Sequence, residues 1–384
     1  VEKGILYSKF ADYISSVFFT DSVTEVSLRK TFQTTVVTNE KVKILIVPGH
    51  DNESWGTDFH GLREADLTIA LGEELYELFK KNSSFDVKIS RTRAGHDKEL
   101  NLYIERNRQG ILDFMKVQKS KMGEFIDSGE IVFRIIVEHA TATDRTIQRL
   151  YGINKWANEN GYDIVIHIHF NDYAGRKKSA AGKYSGFSIY VPEGQFSNAK
   201  GSRSVGESIF RRFQHLYAVS NLPKEDAGII EDQELIGVGA YNTLDGAGLL
   251  IEYDYIYEPI LQDKNIRDIA ISDYALQTYL GVMDFFAPSF PGVNIQTAYL
   301  PYEWKRNLFQ GVKNDLGVLS LQAALTNEGV YPLKGYTKND CPLSGNFGPC
   351  TRRAVEAFQK KYGITPSGAL DAKKREKLNN IYSN

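Results

Sequence analysis

Lys43-Ile44-Leu45-Ile46-Val47-Pro48-Gly49-His50 is the stretch whose reading decides the fold. Four consecutive apolar residues closed by Pro-Gly read as a short strand buried on both faces, the kind found inside a covered parallel sheet. The cover follows at once. Leu67, Ala70, Leu71, Leu75, Leu78 and Phe79 recur at helical spacing, which predicts an amphipathic helix over Glu64 to Lys81. Phe85, Val87 and Ile89 alternate and predict a strand over Phe85 to Ser90. Further on, Ile153 to Asn160 reads as the end of a helix, Asp163 to Phe170, Phe187 to Val191 and Gly248 to Tyr253 as strands, and Val205 to Leu216 as a helix. Strand and helix alternating in this way predict an α/β domain, a mainly parallel sheet flanked by helices, over residues 41 to 287. Sites in such sheets form at the carboxyl ends of the strands.

Outside this alternation the chain changes character. Residues 1 to 40 read as an N-terminal stem or first element; the start at Val1 rather than Met suggests trimming of an upstream segment, and Phe10 to Phe19, broken by Asp12, lacks the basic flank of an export signal. Ala94 to Thr146 is charged and helix-prone from Glu105 to Met122. It reads as an insertion over one end of the sheet, either a lid or substrate wall or a plain surface excursion. Pro288-Ser289-Phe290-Pro291-Gly292 punctuates the chain and opens a linker over 288 to 310. Residues 311 to 384 then read as a small all-α domain of three short helices. Val318, Leu321 and Leu325 form one face; Thr351 is expected to cap a helix that buries Ala354, Val355, Phe358 and Tyr362; Asp371 is expected to cap a third with Leu378 and Ile381.

Composition narrows the function classes. At 384 residues, 42% apolar and 24% charged, the chain is ordinary globular protein with room for two domains. No run of about 18 apolar residues is present, so no membrane-spanning segment is expected. A net charge of -2 argues against nucleic acid as a partner. That average hides a split: residues 301 to 384 carry 13 Lys+Arg against 7 Asp+Glu, a balance of +6, which leaves -8 for residues 1 to 300. The tail is either a basic module with an anionic partner or an unevenly charged solvated surface.

Chemistry concentrates at three strand ends. His50 follows the first buried strand, and His169 closes Ile164-Val165-Ile166-His167-Ile168-His169, where alternation puts His167 and His169 on one face. Glu64 stands at the start of the helix after His50. Two imidazoles and a carboxylate from separate elements make the His2Glu set of catalytic zinc sites. Glu252 ends Leu249-Leu250-Ile251 and would bring a second carboxylate to the same edge, in position for a base beside activated water. Each residue alone has a plainer reading, a satisfied polar histidine or a salt-bridged carboxylate at the sheet rim.

The ordered set Pro48-Gly49-His50, Gly61-Leu62-Arg63-Glu64-Ala65-Asp66, Arg91-Thr92-Arg93, His167-Ile168-His169-Phe170-Asn171 and Leu249-Leu250-Ile251-Glu252 resembles the zinc-dependent N-acetylmuramoyl-L-alanine amidases. The tail strings Leu321-Gln322-Ala323-Ala324-Leu325, Gly345-Asn346-Phe347-Gly348-Pro349-Cys350-Thr351-Arg352-Arg353-Ala354-Val355 and Phe358-Gln359-Lys360-Lys361-Tyr362-Gly363-Ile364 are similar to the three-helix peptidoglycan-binding module. The resemblance implies that His50, Glu64 and His169 hold zinc, that Glu252 is the catalytic carboxylate, and that peptidoglycan is the substrate. His167 stands where the family usually has Ser and is a rival ligand; Phe170-Asn171 favours His169. Asn171, Arg91 and His167 are candidates for substrate contact, and Asp51 and the pair Glu138-His139 for orienting a ligand or touching substrate. Export to the periplasm, cell wall or exterior is implied too, and with it a disulfide between Cys341 and Cys350, two free thiols being the alternative. Two other readings remain: a catalytically silent peptidoglycan-binding or regulatory protein, and a zinc carboxypeptidase-like enzyme with Arg91 or Arg149 clamping a terminal carboxylate. A phage lysin would carry the same two domains as a host enzyme.

Overall fold

The computed structural model describes residues 20–134, 137, 142–287 and 296–383. The start of the expected stem, Glu138, His139 and the Pro288 to Gly292 punctuation lie outside the described residues.

Six strands form one sheet: β1 (Val42–Pro48), β2 (Phe85–Ile89), β3 (Ile164–Asn171), β4 (Ser188–Pro192), β5 (Ile229–Asp232) and β6 (Ala247–Tyr255), in the order β2-β1-β3-β6-β4-β5. The first four in that order run parallel, β4 is antiparallel to β6, and β5 is parallel to β4. The sheet is therefore mainly parallel, as the apolar runs predict. β5 is a strand that the sequence pattern did not suggest; its burial alternates in the short run Ile229 to Asp232.

The residues of β1 divide by parity. Ile44 and Ile46 pack with Leu67, Leu71 and Phe79 of helix α2 (Glu64–Lys80), while Leu45 and Val47 pack on the opposite face with Ile153 and Trp156 of α5 (Asp144–Glu159). Covered on both faces, the central strands have side chains that are almost wholly buried. α6 (Ala199–Leu216) and α8 (Lys264–Phe286) share the α2 side; α1 (Glu25–Thr38), the described part of the expected stem, adds Leu28 to the same core. The short helix α7 (Pro259–Gln262) precedes α8.

The 94–146 excursion forms α3 (Lys98–Arg106) and α4 (Arg108–Asp127), with Ile111, Met122 and Phe125 turned inward. Beyond α4 the chain is tied to the antiparallel side: Gln195 and Val132 exchange two hydrogen bonds, and Gln233 receives from the Arg134 N–H and donates to the Val132 carbonyl.

The C-terminal part contains α9 (Leu316–Asn327), α10 (Pro349–Lys361) and α11 (Ala372–Tyr382). Asp371 caps α11 as expected, accepting from the Lys374 N–H. Thr351 does not cap α10: the N-cap is Gly348, with Pro349 in the first turn. Thr351 is buried inside that turn and accepts from Gln322 Nε2 at 3.0 Å, because Pro349 fits the first helical position and starts the helix earlier. The expected linker is also no free spacer in its described part. Tyr299, Trp304 and Leu308 are buried, and Trp304 Nε1 donates to the Gly317 carbonyl at 2.7 Å. Apolar side chains of that size are drawn out of water whatever the turn signals before them. Cys341 and Cys350 form a disulfide.

Candidate active site

β1, β3 and β6 end at one edge, and their registers bring the chemistry together. Glu252 of β6 lies opposite His169 of β3, and the Gly49 N–H donates to the Ile168 carbonyl at 2.9 Å, so the turn carrying His50 is fastened to β3. His50 takes φ 61°, in the left-handed region that a residue with a Cβ adopts only when its surroundings hold it there. Those surroundings are identifiable. The carbonyl of Gly49 accepts from Thr68 Oγ1 at 2.7 Å and from the Arg91 guanidinium at 2.9 Å.

Glu64 is the first residue of α2, where the helix N-terminus favours negative charge. It is buried, and its oxygens face two imidazole nitrogens and two backbone N–H groups. Oε2 lies 3.3 Å from His50 Nε2 and 3.0 Å from the Thr57 N–H; Oε1 lies 3.0 Å from His169 Nδ1 and 3.2 Å from the Phe170 N–H. Burial works against the charged carboxylate, but the hydrogen bonds from His169 and His50 outweigh it and hold the carboxyl well below its ordinary range. Burial lowers His169 despite the pull of Glu64, which favours the neutral imidazole a metal needs. Ligand atoms of His50, Glu64 and His169 all lie within 4.8 Å of one another.

Two glycines make this approach feasible. A Cβ on Gly49 would fall 2.3 Å from the His169 ring, and one on Gly56 (φ 74°) 2.3 Å from Glu64 Oε2 and 2.7 Å from the His50 ring. The donor set thus fits a metal ion of the zinc type: two imidazoles and a carboxylate converge, with backbone thinned to glycine around them.

Glu252 reaches the same edge. Its Oε2 is buried, and no described residue gives it a hydrogen bond. Burial and the neighbouring Glu64 and Glu225 carboxylates push its carboxyl well above the ordinary range. His167 is one step deeper in β3, opposite Val47 and Leu250, and outside the cluster. It is 1% exposed with Nε2 unpartnered, and burial followed by the His169 charge pushes it down to about 3. It lies inside the fold rather than on an open surface, with Gly237 so close that a Cβ there would fall 3.2 Å from its ring. Arg91 is likewise buried, donating to the Gly49 and Ala65 carbonyls and to Thr68 rather than facing a cleft. Asn171 is buried and donates to both oxygens of Glu225, at 3.2 and 2.9 Å. Asp51 closes its own turn by accepting from the Glu53 and Ser54 N–H groups.

Sequence reading missed Glu225, Gly56 and Thr57. Glu225 is 2% exposed and also receives Tyr190 and Ser220 hydroxyls at 2.7 and 2.6 Å. It sits in a loop with no periodicity to mark it. Gly56 carried a readable signal, a glycine in the short loop between two candidate ligands.

A family model described as N-acetylmuramoyl-L-alanine amidase matches residues 44–260, and one for a peptidoglycan binding domain matches residues 314–378. No curated protein matches the chain. Among solved structures, the N-acetylmuramoyl-L-alanine amidase from Clostridium difficile 630 is 15% identical with a TM-score of 0.39, over 64% of this chain and 96% of that one. AmiC2 of Nostoc punctiforme is 12% identical with a TM-score of 0.37 over 64% and 96%, and Ami1 from Mycobacterium abscessus 11% identical with a TM-score of 0.39 over 64% and 98%. The amidase match spans more than half of the chain and contains His50, Glu64, His169 and Glu252, and the chain belongs to the N-acetylmuramoyl-L-alanine amidase family.

Proposed function

We propose that the chain cuts the amide between N-acetylmuramic acid and L-alanine in peptidoglycan, with zinc held by His50, Glu64 and His169 and with Glu252 as the proton carrier. The observation that carries this reading is one sheet edge where three ligand-type atoms lie within 4.8 Å of one another beside a buried carboxylate oxygen that no described residue satisfies. Bound there, zinc would supply Lewis-acid polarisation of the amide carbonyl and lower the pKa of water. Glu252 Oε2 takes the proton from the attacking water and passes it to the leaving amine, which would otherwise depart as a poor leaving group. Its raised pKa favours the first half of that exchange, the uptake of the proton. Arg91 and Thr68 hold the Gly49 carbonyl and so fix the His50 turn; the Phe170 and Thr57 N–H groups hold the Glu64 oxygens.

In the same reading, residues 41 to 287 are the catalytic domain and 311 to 384 a wall-binding module that keeps the enzyme on insoluble substrate. The protein works outside the cytoplasmic membrane, which the peptidoglycan binding domain and the disulfide both support. Purified protein should contain about one zinc and release stem peptides beginning with L-alanine from peptidoglycan. A folded, metal-replete preparation that releases none would overturn the assignment.

A further inference from the structure

Between α6 and the C-terminal helices a groove of about 470 Å³ remains open, lined by Arg211, Gln214 and His215 from α6 and by Thr326, Tyr331 and Lys338 from beyond it. Its charge is of one sign. Arg211 is exposed and donates to a neutral group, the Ser208 hydroxyl, at 2.7 Å. His215 Nε2 lies 3.2 Å from Asn327 Oδ1, also neutral, and burial together with the Lys338 and Arg212 charges lowers its pKa. Lys338 is half-buried and has neither a hydrogen bond nor an ion pair among the described residues. The nearby acids are engaged elsewhere. Glu328, beside Gly329, receives Lys361, Tyr362 and Tyr382, and Asp284 receives Arg212. Asp254 and Glu258 line a separate cavity of about 20 Å³ that Lys338 also borders.

A partly desolvated ammonium without a counter-ion is unfavourable, and an incoming anion relieves it. We propose that this groove binds a phosphodiester-linked polyanion, a chain polymer with repeated phosphate groups. The Arg211 fork and the Lys338 ammonium suit phosphate oxygens, and the volume exceeds what a single phosphate fills. A stem peptide of peptidoglycan fits less well, because it brings amino groups together with its carboxylates and the groove offers no acid to receive them. The site uses residues from both sides of the junction, so an occupant fastens the C-terminal helices to α6. This inference does not depend on the catalytic reading.

The test uses the full chain, with inorganic polyphosphate as soluble probe at several salt concentrations. Retention is also measured on insoluble cell wall before and after hydrofluoric acid removes its phosphodiester polymers. The Arg211→Gln, Lys338→Gln double variant should bind polyphosphate about ten-fold or more weakly, with a shallower salt dependence, and should lose the extra retention on untreated wall. Lys338→Gln alone should lose part of it. Arg203→Gln, on the same helix but paired with Glu207 and Glu231, should bind as wild type. Equal polyphosphate binding by wild type and double variant, or equal wild-type retention on treated and untreated walls, overturns the proposal. Hydrolysis of a soluble muramoyl peptide, measured on the same variants, reads the catalytic site separately and should not change.

Discussion

Glu252 stands at the site with one buried oxygen that receives no hydrogen bond from a described residue. A buried carboxylate oxygen without a donor is costly unless a bound group completes it, and its neighbours Glu64 and Glu225 are both acidic. Replacing it by Gln keeps the shape and removes the proposed proton carrier. Glu252→Gln should lower kcat on the order of a hundred-fold or more while metal content, measured on the purified variant, stays at the wild-type level. The two β3 histidines make a paired prediction. His169→Ala should lose the metal, since His169 Nδ1 and His50 Nε2 share Glu64. His167→Ala should retain it and show its effect in thermal unfolding, because His167 is a buried residue outside the cluster. Loss of metal from His167→Ala, with His169→Ala replete, would reverse the assignment.

At the scale of elements, the central strands were legible because a strand covered on both faces leaves an unbroken apolar run, and α2 because its buried side repeats with helical period. Within the site, His50 and Glu64 were readable as the ends of such elements. Glu225 was not, since its place is set by Tyr190 and Asn171 reaching it from two distant strands, with Ser220 five residues before it. The Thr351 cap failed for a local reason: the preceding Pro349 starts the helix itself. Helix α8 allows a stability test. Asp273 is fully buried, and burial pushes its carboxyl up to about 6 although the Tyr217 hydroxyl, the Ala298 N–H and Gln277 Nε2 all donate to it. The folded state therefore keeps a proton that the unfolded chain releases near its ordinary value. This contribution to stability is present at low pH and falls as pH rises from about 4 to about 6, with a slope approaching about 1.4 kcal/mol per pH unit. Denaturant titrations across that range should show the slope in wild type and a flatter profile in Asp273→Asn.

Across the whole molecule, the charge split coincides with the change of architecture. The tail's balance of +6 belongs to the segment that contains the peptidoglycan binding domain, and the -8 to the part that contains the amidase match. The two parts share one hydrophobic core: Leu319 and Leu321 of α9 belong to the same buried cluster as Phe213 of α6 and Ile266 of α8. Removing residues 301–384 should therefore reduce retention on insoluble peptidoglycan and also lower the Tm by several degrees, an effect that an independently tethered module would not produce.

The central claim is that one edge of the sheet forms a metal-dependent amidase centre. It is tested most directly by measuring, on one preparation, metal content and the release of L-alanine-led stem peptides before chelation, after chelation and after zinc is restored. The proposed function predicts about one zinc per chain, loss of release on chelation and its return with zinc. Peptide release that persists in the metal-free protein, or a zinc-replete folded protein that releases none, would contradict it.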